Sequence, residues 1–205
     1  TIPACVSECS GIRIFGRRIK SLAFSTDVAI IKNINADAII AVYPFTPQPA
    51  ITQAIIGVSE VPVFCGVGGG LTNGVRSASM AAYVEHQGAY GVVCNSKIGV
   101  ETIHAIKDAV EIPVVYTVIS ENTDIQPYLT AGVDIINVSG AARTPEIVGT
   151  LRQRYPELPI IATGGPTEES ILATIRAGAN AITYTPPSSA SLFAKTMADN
   201  RSELE

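Results

Sequence analysis

Two local patterns alternate along the chain. In the first, proline follows an apolar residue and opens a β-branched run, as in Val61-Pro-Val-Phe-Cys65, Ile112-Pro-Val-Val-Tyr-Thr117 and Leu158-Pro-Ile-Ile-Ala-Thr163. In the second, a small residue closes a polar stretch and an apolar run follows, as in Asn35-Ala-Asp-Ala-Ile-Ile-Ala-Val42, Gln87-Gly-Ala-Tyr-Gly-Val-Val93, Ala131-Gly-Val-Asp-Ile-Ile-Asn-Val138 and Ala177-Gly-Ala-Asn-Ala-Ile-Thr183. Proline is tolerated at the first residue of a strand, and glycine caps a preceding helix. With Lys20-Ser-Leu-Ala-Phe24 in front, these runs predict about eight strands, each followed by a helical stretch. Continuous apolar strands imply a parallel sheet buried on both faces.

Between the strands, apolar residues recur at three- and four-residue spacing over 48–58, 72–87, 100–110 and 144–155, and a short helix is expected over 28–33. Thr167-Glu-Glu-Ser170 opens another helix with a capping hydroxyl and an acidic first turn. The alternation predicts an α/β fold, a single compact (β/α)8 (TIM) barrel over 1–205, with an open doubly wound sheet as the alternative. Residues 1–18 form an N-terminal extension before the first strand. They are expected to cover the bottom of the barrel or to pack against its side.

Composition narrows the function. The chain has 205 residues, 47% of them apolar, which is ample for one buried core. No apolar run reaches the ~18 residues of a membrane helix. A net charge of −4 without a basic run argues against nucleic acid. Cys65 and Cys94 fall in core strands, and Cys5 and Cys9 lack a second Cys/His pair, so neither a disulfide framework nor a metal site is expected. Free thiols and the absence of a signal segment lead to an expectation of a cytoplasmic protein. A homo-oligomer is left open.

Candidate chemistry follows from the barrel, because the C-terminal ends of its strands face the active site. Loops after the last two strands of such barrels commonly hold phosphate through backbone N–H groups and a helix N-terminus. Gly164, Gly165, Ser188 and Ser189 are the expected donors, with Gly140 after the strand that carries Asn137. Pro186 and Pro187 weaken the last loop because they have no N–H. Asp27 and Glu121 are the acids at strand ends and thus the candidates for proton transfer, with helix capping by Asp27 and solvation of Glu121 as the competing readings. Asn95 and Asn137 would orient a substrate. Gly66-Val-Gly-Gly-Gly70 reads equally as a mobile active-site loop and as a structural turn. Lys97 is a weak Schiff-base candidate, since it lies beyond its strand. His86 and His104 fall on helices, away from the strand tops.

The stretches Ala36-Asp-Ala-Ile-Ile-Ala-Val-Tyr-Pro-Phe-Thr-Pro-Gln-Pro49, Pro62-Val-Phe-Cys-Gly-Val-Gly-Gly-Gly70, Asn137-Val-Ser-Gly-Ala-Ala142, Ala162-Thr-Gly-Gly-Pro166 and Thr183-Tyr-Thr-Pro-Pro187 resemble a bacterial (β/α)8-barrel family of uncharacterised activity, along nearly the whole chain. Its members often carry the label hydrolase. The final quarter also looks like the phosphate-binding half of isomerases, epimerases and aldolases that act on sugar phosphates. Together the residues and the resemblance lead to an expected enzyme for a small phosphorylated metabolite, of isomerase or lyase type and without a cofactor. A hydrolase and a metabolite-sensing barrel without turnover are the alternatives.

Overall fold

The computed structural model describes residues 1–203. A short 3-10 turn, Ala4–Glu8, leads into an antiparallel hairpin, β1 (Ile12–Ile14) and β2 (Arg17–Ile19). Eight parallel strands then close a barrel in chain order: β3 (Ser21–Phe24), β4 (Ala38–Ala41), β5 (Val63–Gly68), β6 (Gly91–Cys94), β7 (Val114–Val118), β8 (Ile135–Val138), β9 (Ile160–Thr163) and β10 (Ala181–Tyr184), with β10 pairing back to β3. Helices alternate with them: α1 (Val28–Asn33), α2 (Pro49–Val58), α3 (Val75–His86), α4 (Val100–Ala109), α5 (Gln126–Ala131), α6 (Thr144–Arg154), α7 (Glu168–Ala177) and α8 (Ser189–Ser202). The expected (β/α)8 barrel is therefore the fold. The short α5 carries too little periodicity to stand out in the sequence.

Strand residues alternate between two cores, as the period of two requires. Outward positions such as Ile39, Cys65, Val92, Val114, Ile136 and Ile160 pack under the helices. Burial pushes the Cys65 and Cys94 thiols up to about 12, so both behave as small apolar residues. Inward positions, including Leu22, Phe64, Val115, Ile135 and Ile161, form a second cluster with Ile12, Ile14 and Ile19 of the hairpin. The N-terminal extension thus plugs the bottom of the barrel.

The recurrent polar residue of the second sequence pattern has a structural role. Asp37 Oδ2 accepts from Ser21 N at 3.1 Å, Asp134 Oδ2 from Val114 N at 2.8 Å, and Asn180 Oδ1 from Ile160 N at 2.8 Å. Each stands just before its own strand and ties down the first N–H of the preceding one. An N–H at the end of a parallel strand would otherwise lack a ladder partner. At the same end, Arg152 donates to the carbonyls of Tyr155, Pro156, Leu158 and Gly178 and to Asn180 Oδ1. Its partial burial holds the guanidinium somewhat below its ordinary range.

Candidate functional site

A cavity of about 440 Å³ opens at the C-terminal end of the strands. The period of two that fills the barrel below also determines what lines it. One step above the plug, β3, β4 and β5 present Phe24, Ile40 and Gly66, with Val42 just beyond β4. β7, β8, β9 and β10 present Thr117, Asn137, Thr163 and Thr183. The cavity therefore has an apolar wall and a wall of hydroxyl and amide groups. The lining, among the described residues, contains no Asp, Glu, Lys, Arg, His or Cys.

The polar wall is only partly satisfied from within. Asn137, 9% exposed, donates from Nδ2 to Thr117 Oγ1 at 3.3 Å, and Thr163 Oγ1 donates to the Val138 carbonyl at 3.3 Å. Thr183 is 7% exposed, and its buried Oγ1 has no hydrogen-bond partner among the described residues. A buried hydroxyl in that state costs about 1–3 kcal/mol. The residue lines the cavity, but the oxygen itself is sealed from it.

Two loops form the rim. Tyr43-Pro-Phe-Thr-Pro47 follows β4, with Phe45 exposed, and Tyr43 Oη accepts from Gln48 N at 2.8 Å. The glycine loop after β5 is bound to itself, since Gly69 N donates to the Thr72 carbonyl at 2.8 Å and Ser77 Oγ donates to the same oxygen at 3.0 Å. Gly68 sits at φ 140°, where a Cβ would run into Thr72 O and Ser77 Oγ. This is the geometry of a structural turn, and Gly68, Gly70, Leu71 and Thr72 of the same loop still face the cavity.

The candidate residues divide. Asn95 and Asn137 line the cavity. Asn95 Oδ1 accepts from Lys97 N at 3.1 Å, which fixes its carboxamide in the turn after β6. Asp27 lies outside the lining. Its Oδ1 caps α1 by accepting from Ala29 N and Ile30 N, and its Oδ2 accepts from Ser189 N and Ser189 Oγ. The Ser189 bonds first, and then the cap, hold the carboxyl below the usual aspartate range. Glu121, also outside the lining, pairs with Arg143, which pairs in turn with Glu146. The nearby N–H of its own backbone, and after it Arg143, hold Glu121 below its ordinary value.

The residues expected to hold phosphate are not brought into the cavity lining. Gly164 N donates to Thr183 O, and a Cβ on Gly164 would press on Ile171 and Ile182. Gly165 takes φ 81° against Ser170. Gly140 N donates to Thr144 Oγ1, Ser188 Oγ caps α8 through Ser191 N, and Ser189 holds Asp27. The start of α8 thus already has an anion of the protein's own. The sequence reading did not single out Thr117, Thr163 and Thr183, because a threonine in an apolar strand also reads as an ordinary β-branched strand former. Counting in steps of two from the apolar plug residues Val115, Ile161 and Ala181 would have found them. His86 and His104 are exposed on α3 and α4.

No family profile and no curated protein matches the chain, so the expected hydrolase family gains no support. Solved structures do match. A 2,3-dimethylmalate lyase of the PEP mutase/isocitrate lyase superfamily superposes with a TM-score of 0.71 at 14% identity, covering 98% of this chain and 82% of that one. A putative phosphonomutase from Burkholderia cenocepacia J2315 gives 0.69 at 17% identity, covering 98% and 96%. A phosphonopyruvate hydrolase in complex with oxalate and Mg++ gives 0.67 at 16% identity, covering 90% and 80%. At such identities the likeness is one of fold.

The last of these corrects the expectation of no cofactor, because a barrel of this fold carries Mg++ beside its oxalate. The side chains of the present mouth are a poor match for such an ion. Mg²⁺ takes carboxylate oxygens and water in octahedral array. Among the described residues, however, no group of three or more His, Cys, Asp or Glu could hold a metal. The oxygen donors that line this mouth are hydroxyls, carboxamides and backbone carbonyls.

Proposed function

We propose that the chain is an enzyme acting on a small organic acid, phosphorylated or not, bound in the cavity at the top of the barrel. One observation carries this reading: the nine-tenths-buried Asn137 lines that cavity and spends only one of its two amide N–H groups, on Thr117, among the described residues. Buried polar groups are normally satisfied, so an uncommitted carboxamide N–H at an open site fits a ligand partner. The position supports it, because TIM-barrel enzymes act at this end. So do the names of the fold neighbours, which are a hydrolase and a mutase of phosphonates and a lyase of a substituted malate.

Asn95 and Asn137 orient the bound acid. Neutral donors in a water-poor cavity can hold a carboxylate or a developing oxyanion, since hydrogen bonds to an ion are roughly twice as strong as neutral ones. Proton transfer falls to Glu121. Asp27 has both oxygens committed to helix ends, whereas Glu121 follows the cavity-lining Ile119 by two positions and is held by an Arg143 that is half exposed. Its Oε2 is buried without a hydrogen-bond partner among the described residues, so one carboxylate oxygen is uncommitted.

A second reading, a barrel that binds its metabolite without turning it over, is favoured by the uncharged lining. One experiment separates the two. Thermal shifts against pyruvate, oxalate, malate and their phosphorylated or phosphonate relatives, with and without Mg²⁺, identify ligands. Each hit is then followed by NMR for product. Product formation that Glu121→Gln abolishes supports the enzyme. Binding without product across the panel supports the sensor, and the lack of any shift removes both.

A further inference from the structure

The two walls of the cavity differ in a way that the proposed function does not use. On the β7–β10 side, each strand sends a hydroxyl or carboxamide inward: Thr117 lies opposite Asn137 in register, and Thr163 opposite Thr183, the second pair one inward step beyond the first because Asn137 pairs with Ile161. On the β3–β5 side, the inward residues are Phe24, Ile40 and Gly66, with Val42 above. Gly66 has a specific effect here. A Cβ at that position would lie 3.2 Å from Val42 Cγ2, so its absence leaves open the space beside the apolar wall. That wall has no side-chain donor for a ligand hydroxyl among the described residues. A sugar lying across this cavity would have to strip water from its hydroxyl groups on that side with no hydrogen bonds in return.

We infer that the cavity takes an amphipathic short-chain organic acid. Its carboxylate or adjacent carbonyl sits on Asn137, and its hydrocarbon tail lies in the space between Gly66, Val42 and Ile40. The inference rests on the reading of this cavity as the ligand site and narrows the class of ligand. The Asn137 carboxamide spends one N–H on Thr117 and keeps a second donor for the head group. Polyhydroxylated sugar phosphates fall outside the class, because they place hydroxyl groups against Ile40 and Val42.

The test is a calorimetric titration of the full-length protein with pyruvate, with its homologues lengthened by one and by two methylenes, and with erythrose 4-phosphate. Each methylene that enters the apolar space is expected to tighten Kd about fourfold, and the sugar phosphate is expected not to bind. Asn137→Leu removes the carboxamide and keeps the size. It is expected to melt no lower than the parent and to weaken every acid of the series about tenfold. Val42→Asn is expected to abolish the gain in affinity with chain length. The inference is overturned if the acids bind with no dependence on tail length, if erythrose 4-phosphate binds more tightly than they do, or if Asn137→Leu leaves their affinity unchanged. If none of the acids binds at all, the cavity is not an acid site, and the underlying reading falls together with this one.

Discussion

Asp27 and Ser189 meet across 162 residues of sequence: the aspartate accepts from the Ser189 hydroxyl at 2.6 Å and from its backbone N–H at 2.8 Å. The bond fastens the first residue of α8 to the residue that caps α1, and so closes the ring of helices where the last strand returns to the first. It also places a carboxylate at a helix start, where a bound phosphate was expected, and a helix start favours negative charge. Asp27→Ala is therefore expected to lower stability by about 2 kcal/mol, the upper range for a lost cap. Denaturant unfolding would show this, while Asn137-dependent ligand binding stays close to that of the parent.

The same carboxylate sets a pH dependence. Its folded-state value lies below the ordinary 3.8, so on acidification the unfolded chain takes up the proton first and stability falls. The contribution of Asp27 is fully present above about pH 5 and is lost as the pH drops through 3.8 toward the lowered folded value. Urea midpoints measured between neutral pH and pH 3 should fall less steeply in Asp27→Asn than in the parent.

Glu121 gives a contrasting case. It pairs with an exposed Arg143 through one oxygen, while its Oε2 is buried without a partner among the described residues, so a neutral carboxamide there loses little. Glu121→Gln should melt within a few degrees of the parent. In the proposed enzyme it should reduce kcat by about a hundredfold or more, the usual contribution of a general acid or base, with KM little changed. Steady-state kinetics beside a thermal melt would separate this outcome from a structural defect.

Gly68 is the residue of the rim least open to change. At φ 140° a side chain is strained, and its Cβ would strike backbone as well as Ser77. Gly68→Ala is expected to cost about 2 kcal/mol or more, in the range for sparsely populated backbone conformations. Proteolysis of the 68–72 loop should then speed up, because the turn closed by Gly69 N and Thr72 O opens.

At the other end of the barrel, Arg152 satisfies four carbonyls and the Asn180 side chain with one guanidinium. Lysine has neither the planar fork nor enough donors to do the same. Arg152→Lys should lose about 2–4 kcal/mol, since it strands part-buried acceptors. Ligand affinity, measured below the melting transition, should not change.

How much of this was legible in the chain can be seen from particular residues. The apolar runs, the prolines that open them and Gly132 and Gly178, both at positive φ as helix caps, predict the eight strands and most of the helices. These are local effects of period and backbone freedom. Even the polar residues that precede strands, Asp37, Asp134 and Asn180, stand in a visible repeat. Their work of tying down a neighbouring strand appears only once the strands are side by side.

The sequence by itself determined the barrel, because strand and helix periods and turn residues act over a few positions and all agree. It also brought Asn95 and Asn137 forward as strand-end residues, and both line the cavity. Only the tertiary structure decided which alternate face of each strand points inward, and thereby promoted Thr117, Thr163 and Thr183 from strand formers to cavity lining. It likewise gave Asp27 to Ser189 and Glu121 to Arg143. The physical reason is that a period of two shows which residues share a face but not which face is enclosed. A carboxylate's partner can stand anywhere along the chain, until closure of the barrel brings it within hydrogen-bond reach.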